Sequence, residues 1–134
     1  MIRLISTVCA MALLSGCGAG SIQELQDHPV AKYEFDAPMS YAAAYSLIAY
    51  PTIRCFQSAG PAASWYVDSD LLTDKRQGQV NISLTNLGKR YYGSVLVVPK
   101  DELTSHVTVW TNLASIQHLG PDAERWSKGQ ASCK

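Results

Sequence analysis

The chain has no surplus of charge of either sign: eleven Lys and Arg are set against eleven Asp and Glu. Nucleic acid is met by a basic stripe or patch, so this balance argues against such a partner. Long apolar runs are scarce as well. Leu4 to Leu14 is the only one, and it falls short of the roughly 20 residues that a spanning helix needs. The four cysteines, Cys9, Cys17, Cys55 and Cys133, include no CxxC pair, which removes the usual spacing of zinc ribbons and dithiol oxidoreductases. Ser64, Ser94 and Ser105 lack the GxSxG setting of a nucleophile elbow, and no glycine-rich phosphate loop is present. His28, His106 and His118, with acids such as Asp36 and Asp122, read as scattered surface groups, so no metal is expected. Asp68, Asp70 and Asp74 lie close together but lack the glycine and downstream glutamate of a calcium loop. No cofactor site and no clustered acid–base set emerges, and the expectation is a protein that is not an enzyme.

The amino terminus is far more informative. Arg3 supplies a positive start, the apolar run follows, and Leu14-Ser15-Gly16-Cys17 closes it. Residues 1–16 therefore read as a signal peptide. The closing four residues resemble the lipobox of bacterial lipoproteins, a likeness confined to about the first twenty residues. It implies a diacylglyceryl group on the Cys17 thiol, cleavage just before Cys17, and acylation of the new amine. Gly18 in place of Asp implies the outer membrane, with the domain facing the periplasm. The competing reading is an ordinary secretory signal cut near Ala10, Ala12 or Gly16, with Cys17 a spare thiol. Burial of acyl methylenes is worth about 0.8 kcal/mol each, so one chain holds marginally and two or three hold firmly.

Cys9 leaves with the signal and Cys17 carries lipid, so Cys55 and Cys133 remain as an even pair in an oxidising compartment; a disulfide is expected. Loss of Arg3 leaves the mature chain close to neutral. Residues 17–31 are small and polar and read as a flexible tether with a mean span of about 20 Å. Ile22 and Leu25 are its apolar islands, or else the start of a short helix that packs on the domain. Residues 32–134 are one domain's length.

Within that domain, Lys32 to Asp36 alternates as a half-buried strand with Tyr33 and Phe35 inward. Ser40 caps a helix whose inward face is Tyr41, Ala44, Tyr45, Ile48, Thr52 and Cys55; Pro51 either kinks it or stops it at Tyr50. Four strands follow at Trp65 to Leu72, Gln79 to Leu87, Tyr91 to Val98 and Ser105 to Leu113, joined by short turns. Gly120-Pro121-Asp122 opens a last helix to about Gln130 that buries Ala123 and Trp126. The order β-α-β-β-β-β-α predicts a two-layer α+β domain: an antiparallel sheet of about five strands with two helices on one face, held together by Cys55 and Cys133. This order resembles helix-grip-like and similar small domains in lipoproteins that accompany outer-membrane assembly machines, a topological likeness without a residue motif.

Tyr91, Tyr92 and Trp110 cannot all point inward under the alternation. They are either partner anchors or covers of the core's edge. With Asn81 and Thr108 they form the expected partner surface. The leading expectation is a lipid-anchored envelope protein whose domain binds another envelope protein or assembly; the alternative is a carrier of a small apolar ligand or lipid.

Overall fold

In a computed structural model that describes residues 18–133, the alternation of the sequence becomes a sheet. β1 (Ala31–Ala37) shows burial at every second residue, with Phe35 and Ala37 inside and Lys32, Glu34 and Asp36 outside. β5 (Ser105–Thr111) pairs with it antiparallel and places Val107 opposite Phe35 and Val109 opposite Tyr33. β4 (Lys89–Pro99) pairs next, setting Val95 and Val97 against the same two valines. β3 (Gln77–Thr85) adds Val80 and Ile82, and β2 (Ser64–Leu72) adds Val67. The spatial order is β1-β5-β4-β3-β2, antiparallel throughout.

α2 (Tyr41–Phe56) joins the two outermost strands and so has to cross the sheet. Its 16 residues measure about 24 Å at 1.5 Å each, and four strand spacings amount to about 19 Å. The helix is just long enough to do so. Its inward face is the expected one: Ala44, Ile48 and Thr52 are buried and Tyr41, Tyr45 and Cys55 lie at the margin. It continues through Pro51, and the Thr52 hydroxyl donates to the Ile48 carbonyl at 2.7 Å.

A 3₁₀ turn at Ala114–Ile116 leads into α3 (Leu119–Ser127), which packs on β1, β5 and α2. Leu119, Ala123 and Trp126 are fully buried with the sheet valines and Ile48, so the two long helices share one face as expected. Leu119 rather than Asp122 opens the helix. Gly120 sits inside it because Tyr33 packs on that spot: a Cβ there would stand 2.5 Å from the Tyr33 Cβ. Cys55 and Cys133 stand at disulfide distance with Cα atoms 5.5 Å apart.

The segment 18–31 is not a tether. α1 (Ile22–Asp27) occupies it, with Ser21 as its cap accepting from the Glu24 N–H at 3.1 Å. The Glu24 carboxylate in turn accepts from the Gly20 N–H at 2.8 Å. This reciprocal closure satisfies two backbone donors that a short helix leaves open. Leu25 is 0 % exposed and lies outside the main core cluster, against β4 and β5. Ala19 forms an isolated antiparallel bridge with Tyr91, with bonds of 3.1 and 2.9 Å. The folded unit therefore includes residues 18–31, which the sequence pattern assigns to a tether ahead of a domain starting at residue 32. Residues 1–17, including the lipobox and Cys17, lie outside the described residues.

Candidate interaction surface

The expected partner surface is only partly a surface. Asn81 and Thr108 point away from α2 and α3, as their parity requires, yet they are 5 % and 8 % exposed. Both sit on inner strands between neighbours on either side: Asn81 between Asp68 and Ser94, Thr108 between Glu34 and Leu96. Short side chains in the middle of a sheet are shaded by the longer ones beside them. Asn81 is further engaged by Ser94, whose hydroxyl donates to its Oδ1 at 2.7 Å. Neither residue is free to meet a partner.

The aromatics divide. β4 carries one extra residue where Ile82 pairs with Gly93 and Ser83 with Tyr91, and Tyr92 is that residue. The bulge turns its ring against Trp65, edge to face at 5.6 Å. The Tyr92 hydroxyl accepts from the Gly18 N–H at 3.3 Å. A Cβ on Gly18 would lie 2.5 Å from the Tyr92 ring, so the absence of a side chain at residue 18 is what admits the chain here. Tyr92 is thus a clasp for the N-terminal segment, a role that neither reading of the sequence gives it. Tyr91 stays half-buried beside the Lys89 ammonium, 5.3 Å from its ring centroid, and Trp110 is half-buried between Lys32 and Ser94.

The histidines are less scattered than their spacing implied. His106 lies opposite Asp36 in the β1–β5 register, with Nδ1 at 2.6 Å from that carboxylate and Nε2 at 3.3 Å from Glu34. The Asp36 hydrogen bond holds the imidazole above the usual histidine range. Lys100 donates to Asp36 at 2.8 Å, and Lys100 with His106 holds that carboxyl below the usual carboxylate range. His118 meets Asp122 one helical turn later, at 2.6 Å, and stacks on Phe56. Asp122 is nearly buried, which by itself pushes its carboxyl up; Arg125 and His118 together outweigh that and hold it low. Across the start of α3, Tyr33 donates to Glu124, which raises the phenol. These are charge pairs that lock edges. Among the described residues no group of three or more His, Cys, Asp or Glu is arranged to hold a metal ion.

A cleft of about 140 Å³ opens between β1 and the start of α3, lined by Tyr33, Val109, Gln117 and Pro121 among others. Pockets that enclose drug-sized ligands measure roughly 300–1,000 Å³. The volume between sheet and long helices is occupied by Trp126, Ile48, Leu119 and the sheet valines, all at or near full burial.

What stands out at the surface lies where the sequence pattern predicts a strand end. β3 stops at Thr85. Leu87 sits in the β3–β4 turn at 102 % exposure, between Asn86 and Gly88, whose φ is +127°. The Asn86 side chain accepts from the Leu87 N–H, and the Asn86 N–H donates to the Gly88 carbonyl at 3.3 Å across the turn. Lys89 and Arg90 follow, both exposed, with Lys89 paired to Asp68 at 2.9 Å, a contact that raises its ammonium. The signal that marks the turn is Asn86-Leu87-Gly88, an Asn and a Gly that tolerate left-handed backbone around one apolar residue.

No protein-family model matches the sequence, and no curated protein does. Among solved structures the chain is similar to norcoclaurine synthase from Thalictrum flavum, at 14 % identity and a TM-score of 0.40 over 96 % of this chain and 97 % of that one. A truncated form of the same protein gives 11 % and 0.34, covering 75 % and 88 %. Its complex with dopamine and hydroxybenzaldehyde gives 12 % and 0.33, covering 98 % and 94 %. At this level of likeness no residue role passes from those structures to this chain.

Proposed function

We propose that this chain is an outer-membrane lipoprotein, acylated at Cys17, whose periplasmic α+β domain acts by binding another envelope protein and performs no chemistry itself. The observation that carries the reading is Leu14-Ser15-Gly16-Cys17 at the end of a short apolar run. The cysteine pair supports it, because Cys55 and Cys133 at disulfide distance suit an exported, oxidising compartment. The filled interior favours action through the surface over carriage of an apolar ligand within the fold. For a partner, the exposed face of α2 offers Tyr50 with the Arg54 guanidinium 5.9 Å from its ring centroid, next to Leu47. Tyr and Arg are the side chains most often found at the energetic centre of protein interfaces.

The test is metabolic labelling with a palmitate analogue in a bacterial host, followed by intact-mass analysis of the mature chain. Label incorporated into the parent and absent from Cys17→Ser, with the variant released from the membrane fraction, is the expected result. A mature chain that starts elsewhere, or starts at an unmodified Cys17, overturns the reading.

A further inference from the structure

The two edges of the sheet are finished differently. β1 carries Lys32, Glu34 and Asp36 on the face away from the helices, all three engaged in ion pairs, and α3 lies alongside with Gly120 against Tyr33. Proline, lysine and bulges are the usual means by which an edge strand is closed to further pairing. β2 has none of them: Ser64–Leu72 holds no proline, lysine or arginine, and its register with β3 is unbroken.

Trp65 shows which backbone groups of β2 face outward. Its N–H donates to the Ser58 carbonyl at 2.8 Å and its carbonyl accepts from the Ser58 N–H at 3.1 Å, both on the side away from β3. Backbone bonds in an antiparallel ladder alternate from one side to the other, so Val67, Ser69 and Leu71 direct their N–H and C=O groups the same way as Trp65. Among the described residues no backbone group bonds to them there. The lane that Ser58 begins is therefore open beside the rest of the strand. Tyr66, Asp68 and Asp70 alternate with the buried Val67 and so share the face turned from the helices. Tyr66 is 47 % exposed, Asp68 is held by Lys89 at 2.9 Å, and Asp70 has no ion-pair partner among the described residues.

The charges decide what can fill that lane. Antiparallel self-pairing about Ser69 sets Asp68 opposite Asp70 in both directions; pairing Val67 with Ser69 sets Asp68 opposite itself, and pairing Ser69 with Leu71 does the same to Asp70. Like charges directly opposite destabilise a ladder, so a second copy of this chain is opposed in every register that engages two of the three outward residues. The same carboxylates favour a strand with cations in those places. We propose that the β2 edge binds an extended segment of another protein that carries Lys or Arg at alternate positions. Its backbone pairs antiparallel with Val67, Ser69 and Leu71, its cations lie beside Asp68 and Asp70, and the apolar residues between them lie beside Val67 and Leu71. The edge is the same with Cys17 acylated or free, so this site goes beyond the lipoprotein reading and does not depend on it.

The experiment follows backbone amide exchange and resonance shifts in the full mature chain, with an acetylated and amidated peptide of alternating lysine and valine as the probe. Without peptide, the Val67, Ser69 and Leu71 amides should exchange faster than those of Tyr66, Asp68 and Asp70, which bond to β3. Equal protection of all six overturns the open edge. With peptide, exchange at Ser69 and Leu71 should slow by about tenfold, as one net hydrogen bond provides, and the same peptide N-methylated at its valines should have no effect. Ser69→Pro is tolerated at an outward N–H of an edge strand, so this variant should stay folded and lose the peptide. Asp70→Lys should weaken the lysine–valine peptide and admit a glutamate–valine one. Equal binding of the glutamate–valine peptide to the parent overturns the basic partner. Shifts confined to Leu47 and Tyr50 on α2 overturn the site, and protection that grows with protein concentration alone makes a second copy the occupant and overturns the proposal. Each of these failures leaves the acylation of Cys17 standing.

Discussion

The two turns that bound β4 each expose a leucine, and they are built in different ways. At Leu103 the Asp101 carboxylate accepts from the Leu103 and Thr104 N–H groups, both at 2.8 Å, and these bonds hold it below the usual carboxylate range. Lys100 beside it is tied to Asp36 on β1. An acid is thus part of that turn's own construction. At Leu87 an uncharged Asn86 closes the turn, Gly88 supplies the left-handed backbone, and the charges that follow are cations. Two exposed leucines therefore sit in settings of opposite charge, set by the groups that each turn's chemistry brings with it. The N-terminal clasp lies at the cationic end, and so do the α2 terminus and the cysteine pair.

The largest effect that separates the two ends comes from the cysteines. Cys55→Ser with Cys133→Ser removes a closure spanning 78 positions, which chain entropy values at about 4–5 kcal/mol as an upper figure. Thermal unfolding should show a marked fall in Tm, with amide exchange rising first along the C-terminal tail and the end of α2. An unchanged Tm would mean that the pair does not constrain the chain. Next in size, Gly18→Val forces the Tyr92 ring aside, an overpacking that costs about 1–3 kcal/mol. Exchange should speed up at the Tyr91 and Leu25 amides and leave the Leu103 turn untouched. Equal acceleration at both ends would show that the clasp is not a separate unit.

Smaller still, Leu87→Ser and Leu103→Ser should each shift stability in detergent by less than about 0.5 kcal/mol, since neither side chain is buried. The smallest effect is electrostatic and belongs to the acidic end. The folded state raises His106, so its contribution is complete below the ordinary histidine value of about 6.5 and fades as pH climbs through the raised folded value. Asp36 is depressed, so its contribution is present above the ordinary aspartate value of about 3.9 and is lost as pH falls through the lower folded value. Both groups are substantially exposed, and solvent keeps the effect modest. An imidazole resonance titration should place the His106 midpoint above 6.5, and His106→Gln should flatten the stability profile on the alkaline side.

Sequence periodicity was sufficient for the main architecture because each main element buries one face. Tyr33 and Phe35, Val107 and Val109, and the Ala44–Ile48–Thr52 row of α2 are all in phase with their periods, and they alone imply the two layers. The α1 helix stood only as the alternative to a tether, because Ile22 and Leu25 are too few to make a period. Its capping pair, Ser21 and Glu24 at the spacing of a helix start, was the legible signal. Asn81 and Thr108 show a different limit: parity assigns a face, and whether that face is open depends on the neighbours that pairing brings alongside. The His106–Asp36 and His118–Asp122 contacts were likewise out of reach until strand register and the early start of α3 were known.

The Ala19–Tyr91 bridge has a mechanical consequence. The two Ala19–Tyr91 hydrogen bonds, the Gly18–Tyr92 bond and one six-residue helix stand between Gly18 and the first strand, so tension applied at residue 18 meets this short fastening before any of the five strands. Once it yields, residues 18–30 pay out about 45 Å of slack while the sheet stays whole. A force-extension trace should show that step at low load ahead of global rupture. The domain would then lengthen at its amino end under load while its core is spared the load.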